Sequence, residues 1–484
     1  MLAQPREHPH GHLPPRHGVT LTLTRGDLFP DPANVPDVLR VAGRLAASGQ
    51  VPRRRLARAF GRGLLRLGPR SGDEPELPAG IATLATLLRE RGYHVALKGK
   101  WHLTKPLDGE RWGPGDPARI ERDFGFADWD PTDAGGDAKA SSFGGGIAGL
   151  SGRGWDEDYT RQMEGWLGRA DLPEPFCLVW CLVNPHDVLG YPSAMLDGGY
   201  SPAEFADLHV PLPATIDEDL RDKPTVHAMT KIGQTSYLGG LRGRAEQQRY
   251  ADFYAHLHRV VDEKLGRLVT LLGDPGDPAS LRSRTVVVRT SDHGELGLSH
   301  GGLRQKMFNA YEEAIRVPLV VSSPVLFPEP RTSDALVSLV DLVPTLLGLS
   351  GAPGDPAAFD GIDLGPVLRG ERDGVRDAVL FTYDDHQAGT FMQEAPGQPN
   401  RIRCVRDRRW KYAIYVDPAG TAPAEYELYD LQSDPDEALN LLDKWTGRGR
   451  NAAAGREAVR LHAELERACA AAAVPGPTPA PAAD

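Results

Sequence analysis

The sequence predicts an α/β fold: a central, mainly parallel sheet sandwiched by helices, followed by a smaller C-terminal antiparallel sheet with one packed helix. Three observations carry this. Compact apolar runs at 176–183, 285–290 and 317–322, each bounded by turn residues, read as buried strands. A long helical pattern at 247–272 separates the first two runs, and strands alternating with helices build parallel sheets covered on both faces. Beyond about residue 375, strand-like stretches follow one another directly and a single helical stretch comes after them.

Residues 1–80 show no such order. Arg53, Arg54, Arg55, Arg58, Arg62, Arg66 and Arg70 make a basic stretch that reads as a solvated helix face. His8, His10 and His12 alternate, but no carboxylate or cysteine spacing accompanies them to suggest a metal site. From residue 81 helical periodicity runs to 91, where Gly92 supplies a stop, and 93–97 reads as a short strand. The glycine-rich stretch 143–154 lacks the spacing of a phosphate-cradling loop and is expected to be a mobile loop. A helix is expected from Asp341, as N-cap, to Gly348. Strands are expected at 401–406, 410–416 and 427–431, with a helix over 455–473. The reading is therefore a larger α/β domain over 1–375, an α+β subdomain over 376–473 and a disordered tail over 474–484, where proline and alanine dominate.

Composition narrows the function classes. Of 484 residues, 40% are hydrophobic and 25% charged, a globular balance. With 55 basic and 66 acidic residues the formal charge is 55 − 66 = −11. That argues against nucleic acid as a partner, although a local cationic pocket can sit within an acidic protein. Cys177, Cys181, Cys404 and Cys469 form no C-x-x-C pair, and Cys177 and Cys181 read as small buried hydrophobes on one face of a strand. No apolar run reaches the ~18 residues of a membrane span, so no membrane partner is expected. The first residues hold no apolar signal segment and no Asn-x-Ser/Thr acceptor occurs, so a cytoplasmic location is expected. A homo-oligomer is compatible with all of this.

Three polar clusters fall where a strand ends in a loop, the place where open α/β sheets bind ligands. The first is Gly99-Lys100-Trp101-His102. An extended backbone there would aim Lys100 and His102 to one side. The second, Asn184-Pro185-His186-Asp187, follows the 176–183 strand. The third, Ser291-Asp292-His293-Gly294-Glu295, ends the 285–290 strand. Asp292 and His293 are potential metal ligands, and Lys306 lies downstream, before the next strand. Together they offer cations for the oxygens of a tetrahedral anion and an acid for a departing oxygen.

At these residues the chain resembles the sulfatase family of the alkaline-phosphatase-like superfamily. GYHVALKGKWHL at 92–103 matches its second signature, NPHD at 184–187 supplies a histidine slot, and SDHGELGLSHGGLRQKMFNAYEEAIRVPLVV at 291–321 matches the metal and lysine segment. SLVDLVPTLLGLSGAP at 338–353, DGIDL at 360–364, WKYAIYV at 410–416 and ELYDLQSDPDEALNL at 427–441 continue the pattern, so the likeness covers roughly residues 80 to 470. Neither C-x-P-S-R nor C-x-A-x-R, whose cysteine becomes the formylglycine nucleophile, occurs. PRHGV at 15–19 is similar to the stretch that follows that signature. The chain is therefore expected to begin just after the nucleophile helix. A central strand with paired metal aspartates would precede residue 14, and its loss would leave a vacant slot in the sheet.

The resemblance implies hydrolysis of a small-molecule sulfate ester at one divalent metal ion, with activity expected to be impaired in a chain that lacks the nucleophile segment. Asp292 and His293 would be ligands, with Ca²⁺ favoured by the aspartate and Mn²⁺ or Mg²⁺ as alternatives. It implies that Lys100 and His102 orient and deprotonate the nucleophile. His186 and Lys306 would hold sulfate oxygens, with His186 as the acid for the leaving alcohol. A phosphodiesterase or phosphonate monoester hydrolase on the same scaffold, and a non-catalytic anion-binding relative, are the alternatives. Selectors of the alcohol are expected in the loop 104–160 and at Tyr383, Asp384, Asp385 and His386.

Overall fold

The computed structural model describes residues 21–22, 38–42 and 76–481, apart from 110, 137, 352–353, 385–398, 418–419 and 477–478. The basic stretch 53–70, His8, His10 and His12, the PRHGV stretch, Asp385 and His386 lie outside the described residues. In chain order the larger unit contains β1 (Leu21–Thr22), β2 (Val38–Ala42), α1 (Leu84–Arg89), β3 (His94–Gly99), α2 (Asp116–Phe124), α3 (Trp155–Leu167), β4 (Phe176–Cys181), α4 (Thr225–Leu238), α5 (Gly243–Leu272), β5 (Thr285–Thr290), β6 (Leu319–Ser322) and α6 (Leu342–Leu349). Among the described residues no helix is long and apolar enough to cross a membrane.

The strand order is β1-β6-β5-β2-β4-β3. All neighbours run parallel except β5 and β6. Alternation along the strands sends side chains to two cores. Cys177, Val179 and Cys181 of β4, Val95 and Leu97 of β3 and Val286 and Val288 of β5 pack against α1, α2 and α6. Phe176, Leu178 and Trp180 of β4 pack on the other face against Met163 and Trp166 of α3 and Leu268 and Leu272 of α5. Cys177 and Cys181 are thus core residues, and burial pushes the Cys177 thiol up to about 12.

Local chemistry sets the helix ends. Thr83 accepts from the Thr86 amide and Thr86 returns the bond, which starts α1. Gly125, at φ 83°, ends α2, and a Cβ there would sit 2.8 Å from the Thr86 nitrogen, so only glycine lets the two helices meet. Asp341 stands at the N-cap position of α6, as expected, but its side chain makes no capping bond there. Its carboxylate is buried, accepts from the Ser338 and Ile362 amides and pairs with Arg376, because three donors converge there from distant segments.

The expected vacant slot is absent. Val38–Ala42 forms β2 between β4 and β5, pairing parallel with both. A gap there would leave two edges of backbone N–H and C=O groups unpaired inside the sheet, and a short apolar segment of the right polarity satisfies both. Nothing in the surrounding sequence marks 38–42 as a strand, since flanking order is what identifies one.

The second sheet is antiparallel, in the order β10-β9-β8-β7: β7 (Ala378–Tyr383), β8 (Arg401–Asp407), β9 (Trp410–Val416) and β10 (Glu425–Asp430). α7 (Ala452–Ala471), capped by the Asn451 side chain on the Ala453 and Ala454 amides, lays Leu461, Leu465 and Cys469 on this sheet. The tail expected to be disordered docks in part. Arg403 Nε donates to the Pro475 carbonyl at 2.8 Å and the Tyr426 hydroxyl to that of Pro479 at 3.1 Å. Prolines cannot form a ladder, but their carbonyls still accept from side chains.

Charged groups join the two units. Lys411 of β9 is buried and pairs with Glu312 at 2.9 Å and Glu437 at 2.7 Å, while donating to the Ala310 carbonyl at 2.8 Å. Nearby, the fully buried His300 ring lies between Glu218, 2.9 Å from Nδ1, and Glu313, 3.3 Å from Nε2, and stacks on Tyr311 at 3.6 Å. Lys223 pairs with Glu218 at 2.9 Å and donates to the Tyr429 hydroxyl of β10 at 2.9 Å. Burial opposes charge on His300, but the two carboxylates outweigh it and raise its pKa to about 9.

Removing one partner of a buried ion cluster strands the others. Lys411→Ala is therefore expected to lower the unfolding free energy by roughly 3–5 kcal/mol in a denaturant titration. A loss below about 1 kcal/mol would show the cluster to be incidental. His300 has a folded pKa above its unfolded value, so its contribution is complete below about pH 6.5 and is lost as pH rises through about 9. The stability gap between the unsubstituted chain and His300→Gln should accordingly narrow by on the order of 3 kcal/mol from pH 6 to pH 10. A constant gap would contradict a charged His300.

Candidate active site

The site is assembled where β3, β4 and β5 end. Val38 of β2 pairs with both Phe176 and Thr285, and Gly99 of β3 with Cys181, so the parallel strands finish on one sheet edge. At the end of β3, Gly99 has φ 100° and a Cβ there would lie 1.9 Å from the Cys181 carbonyl oxygen. Only glycine permits that approach, after which the Lys100 amide donates to the same carbonyl at 3.0 Å. The Lys100 side chain is buried and its ammonium donates to the Gly135 carbonyl. The Asp133 carboxylate accepts from the Trp101 and His102 amides, both at 2.8 Å, and the half-exposed His102 ring lies 3.8 Å from it.

Two buried carboxylates shape the β4 turn. Asp156 accepts from the Val183 amide at 2.5 Å and the Asn184 amide at 3.0 Å. Asp187 accepts from the Gly144 and Gly145 amides at 2.9 and 2.8 Å and from the Tyr200 hydroxyl at 2.6 Å. Burial pushes the Asp187 carboxyl up to about 6 in spite of these donors. The glycine-rich stretch is therefore pinned rather than mobile. Its amides hold a carboxylate of the chain itself, and a Cβ on Gly144 would stand 2.4 Å from the Asp156 oxygen. His186, between these clamps, is largely buried.

After β5, Gly294 closes on the 312–314 turn: its amide donates to the Ala314 carbonyl at 2.8 Å, and a Cβ would meet the Glu313 carbonyl oxygen at 1.9 Å. With Nδ1 of His293 donating to the Gly294 carbonyl at 2.8 Å, the ring lone pair falls on Nε2, 3.6 Å from Asp292 Oδ2. An imidazole nitrogen and a carboxylate oxygen at that separation are donor types that fit a divalent metal. Among the described residues no group of three or more His, Cys, Asp or Glu forms a complete metal cage.

His186, Asp292, His293 and Lys306 line one cavity of about 280 Å³, together with Glu295 and Glu313. Lys100 and His102 do not line it. They stand at the end of β3, beside β4, where Lys100 serves Gly135. Asp384 lies 3.0 Å from Arg401 Nε and 2.8 Å from Arg403 Nη2, engaged by the strand beside it. The sequence pattern did not single out Asp133, Asp156, Asp187, Glu313 or His300 as site-shaping groups. Asp187 and Glu313 sit inside the quoted motifs. Asp133 and Asp156 act across 27 to 32 positions of chain, which no local spacing reveals.

Comparison with known proteins identifies the family. The Sulfatase family model matches residues 61–352, and a model described as N-sulphoglucosamine sulphohydrolase, C-terminal, matches 300–453. Arylsulfatase K of Xenopus laevis is 28% identical over 296 residues, which cover 57% of this chain and 50% of that protein, so the chain spans about half the length of that relative. The N-acetylglucosamine-6-O-sulfatase of Bacteroides thetaiotaomicron is 25% identical over 415 residues, 75% of this chain and 69% of the relative. A solved structure in complex with its substrate D-glucosamine-2-N,6-O-disulfate superposes with a TM-score of 0.60 at 20% identity, covering 91% of this chain and 98% of that one. The phosphonate monoester hydrolase of Agrobacterium radiobacter superposes at 0.58 and 21% identity over 90% and 96% of the two chains; both likenesses are of fold. The matched family model spans more than half of the chain and contains every residue that lines the cavity: the chain belongs to the sulfatase family.

Proposed function

We propose that this chain binds a small-molecule sulfate ester in the cavity at the ends of β4 and β5 and supplies the groups that hold its sulfate and protonate the leaving alcohol, while no C-x-P-S-R or C-x-A-x-R motif supplies a formylglycine nucleophile. The observation that supports this most is the convergence of His186, Asp292, His293 and Lys306 on one cavity. Lys306 and His186 hold sulfate oxygens, which carry the charge that grows as the ester bond breaks. His186 delivers the proton to the leaving alcohol, since imidazole titrates nearest neutral pH. Where a formylglycine nucleophile is present, Lys100 and His102, on the neighbouring strand end, would orient and deprotonate it. A divalent ion, when bound at Asp292 and His293, supplies positive charge to a sulfate oxygen and lowers the pKa of the attacking group. Ca²⁺ is the favoured ion because the carboxylate is a hard donor. The names of the relatives, an N-acetylglucosamine-6-O-sulfatase and a structure bound to a disulfated glucosamine, support a sulfated sugar as the ester.

Binding tests the site directly. Titrating inorganic sulfate into the chain by calorimetry should show Lys306→Ala weakened roughly 10- to 100-fold, the worth of a charge-assisted hydrogen bond. Equal affinity in both proteins would remove Lys306 from the anion site. For the metal, Asp292→Ala should contain clearly less calcium than the unsubstituted chain by elemental analysis after equilibration and desalting. Equal content would remove the Asp292 assignment.

A further inference from the structure

The segment that delivers Lys306 is held in an unusual backbone conformation. Eight non-glycine residues among those described have positive φ, and four of them, Leu298 (79°), His300 (50°), Gln305 (69°) and Phe308 (58°), fall within 298–308. L-residues adopt this region only where surrounding contacts enforce it, and such strain concentrates at functional sites. Gln305, next to Lys306, has both backbone groups engaged. Its amide donates to Glu295 Oε1 at 2.5 Å and its carbonyl accepts from the Leu296 amide at 3.0 Å. The same Glu295 oxygen accepts from the Tyr250 hydroxyl at 2.9 Å and the Gly297 amide at 3.3 Å. One carboxyl oxygen thus accepts from three donors and ties Tyr250, Gly297 and Gln305 together. Arg304 is fixed as well, its guanidinium donating to the Tyr191, Gln234 and Gly239 carbonyls. Beyond Gln305 the chain turns, and the Lys306 side chain reaches the cavity that Glu295 also lines.

We propose that Glu295 is a positioning residue for Lys306: its carboxylate holds Gln305 in the left-handed conformation that brings the ammonium to the anion cavity. This rests on the anion-site reading above and extends it to a residue that itself binds no sulfate. Glu295 acts through Lys306, so its loss and the loss of Lys306 are one loss.

The test is a double-mutant cycle read by calorimetric titration of inorganic sulfate into the full chain. Glu295→Ala should weaken binding about tenfold, and Glu295→Ala combined with Lys306→Ala should bind no more weakly than Lys306→Ala alone. Adding Gln305→Gly to Glu295→Ala should restore most of the loss, since glycine adopts positive φ at no steric cost. A general loss of packing would not be repaired that way. If Glu295→Ala does not fold, Glu295→Leu, which keeps the volume and removes both acceptor oxygens, carries the test. Weakened binding restored by Gln305→Gly supports the proposal, whereas undiminished or unrestored binding overturns it. Losses from Glu295 and Lys306 that multiply independently also overturn it. An unsubstituted chain that binds no sulfate would overturn the anion-site reading, and this proposal with it. Sulfate binding that depends on Lys306 but not on Glu295 would overturn the proposal alone.

Discussion

Everything at the site depends on the parallel registration of β3, β4, β2 and β5. Parallel strands start at one edge of the sheet and finish at the other, so the turns leaving them collect on one side. Here those turns carry Lys100 and His102, His186, and Asp292 and His293. The registration is held from both faces. A slip of one residue in β4 would exchange Cys177, Val179 and Cys181 with Phe176, Leu178 and Trp180, and each set is shaped to a different group of helices. The cores thus fix the level of the strand ends to within one residue, before any polar contact at the site is made.

Polar positioning beyond that point is assigned mainly to buried or half-buried carboxylates. Asp133 holds the turn after β3, Asp156 and Asp187 the turn after β4, and Glu295 the segment after β5. Each accepts at least two donors, most of them backbone amides, which offsets the cost of taking a charge out of water. Where donors are too few for full compensation the carboxyl retains some preference for its proton, as the raised pKa of Asp187 shows. Of the carboxylates that line the cavity, Glu295 is engaged by the Gln305 amide and the Tyr250 hydroxyl, and Glu313 by the His300 ring. His186 and Lys306 are carried to the cavity by segments held in this way.

The C-terminal sheet contributes by burying one side of the 299–316 segment. Lys411 of β9 ties down Glu312, and Tyr429 and Glu427 of β10 engage Lys223 and Tyr311. His300 and Glu313 join this network to the cavity wall. Isolated, such an ion cluster would stabilise little, since desolvation cancels much of the attraction. Its value is geometric: Leu298, Leu303, Phe308 and Tyr311 bury the strained segment before β6, and multiple directional bonds specify one conformation for it.

Much of this was legible in the order of residues alone. The apolar runs at 176–183 and 285–290 end in Asn-Pro-His-Asp and Ser-Asp-His-Gly-Glu, and strand, turn and reactive groups are all local patterns. Alternation even assigned Cys177 and Cys181 to one buried face. What depended on partners far along the chain was decided only by tertiary structure. β2 is a strand because two others leave a place for it, and the glycine-rich loop is rigid because Asp187, more than forty positions away, reaches its amides. Lys100 faces Gly135, and the proline-rich tail finds Arg403 and Tyr426. Hydrophobic period and turn chemistry act over a few residues and are written in the sequence directly. Hydrogen bonds between distant segments exist only once packing has brought their ends together, so the chain's order determined which groups the site could use, and the folded structure decided which of them meet.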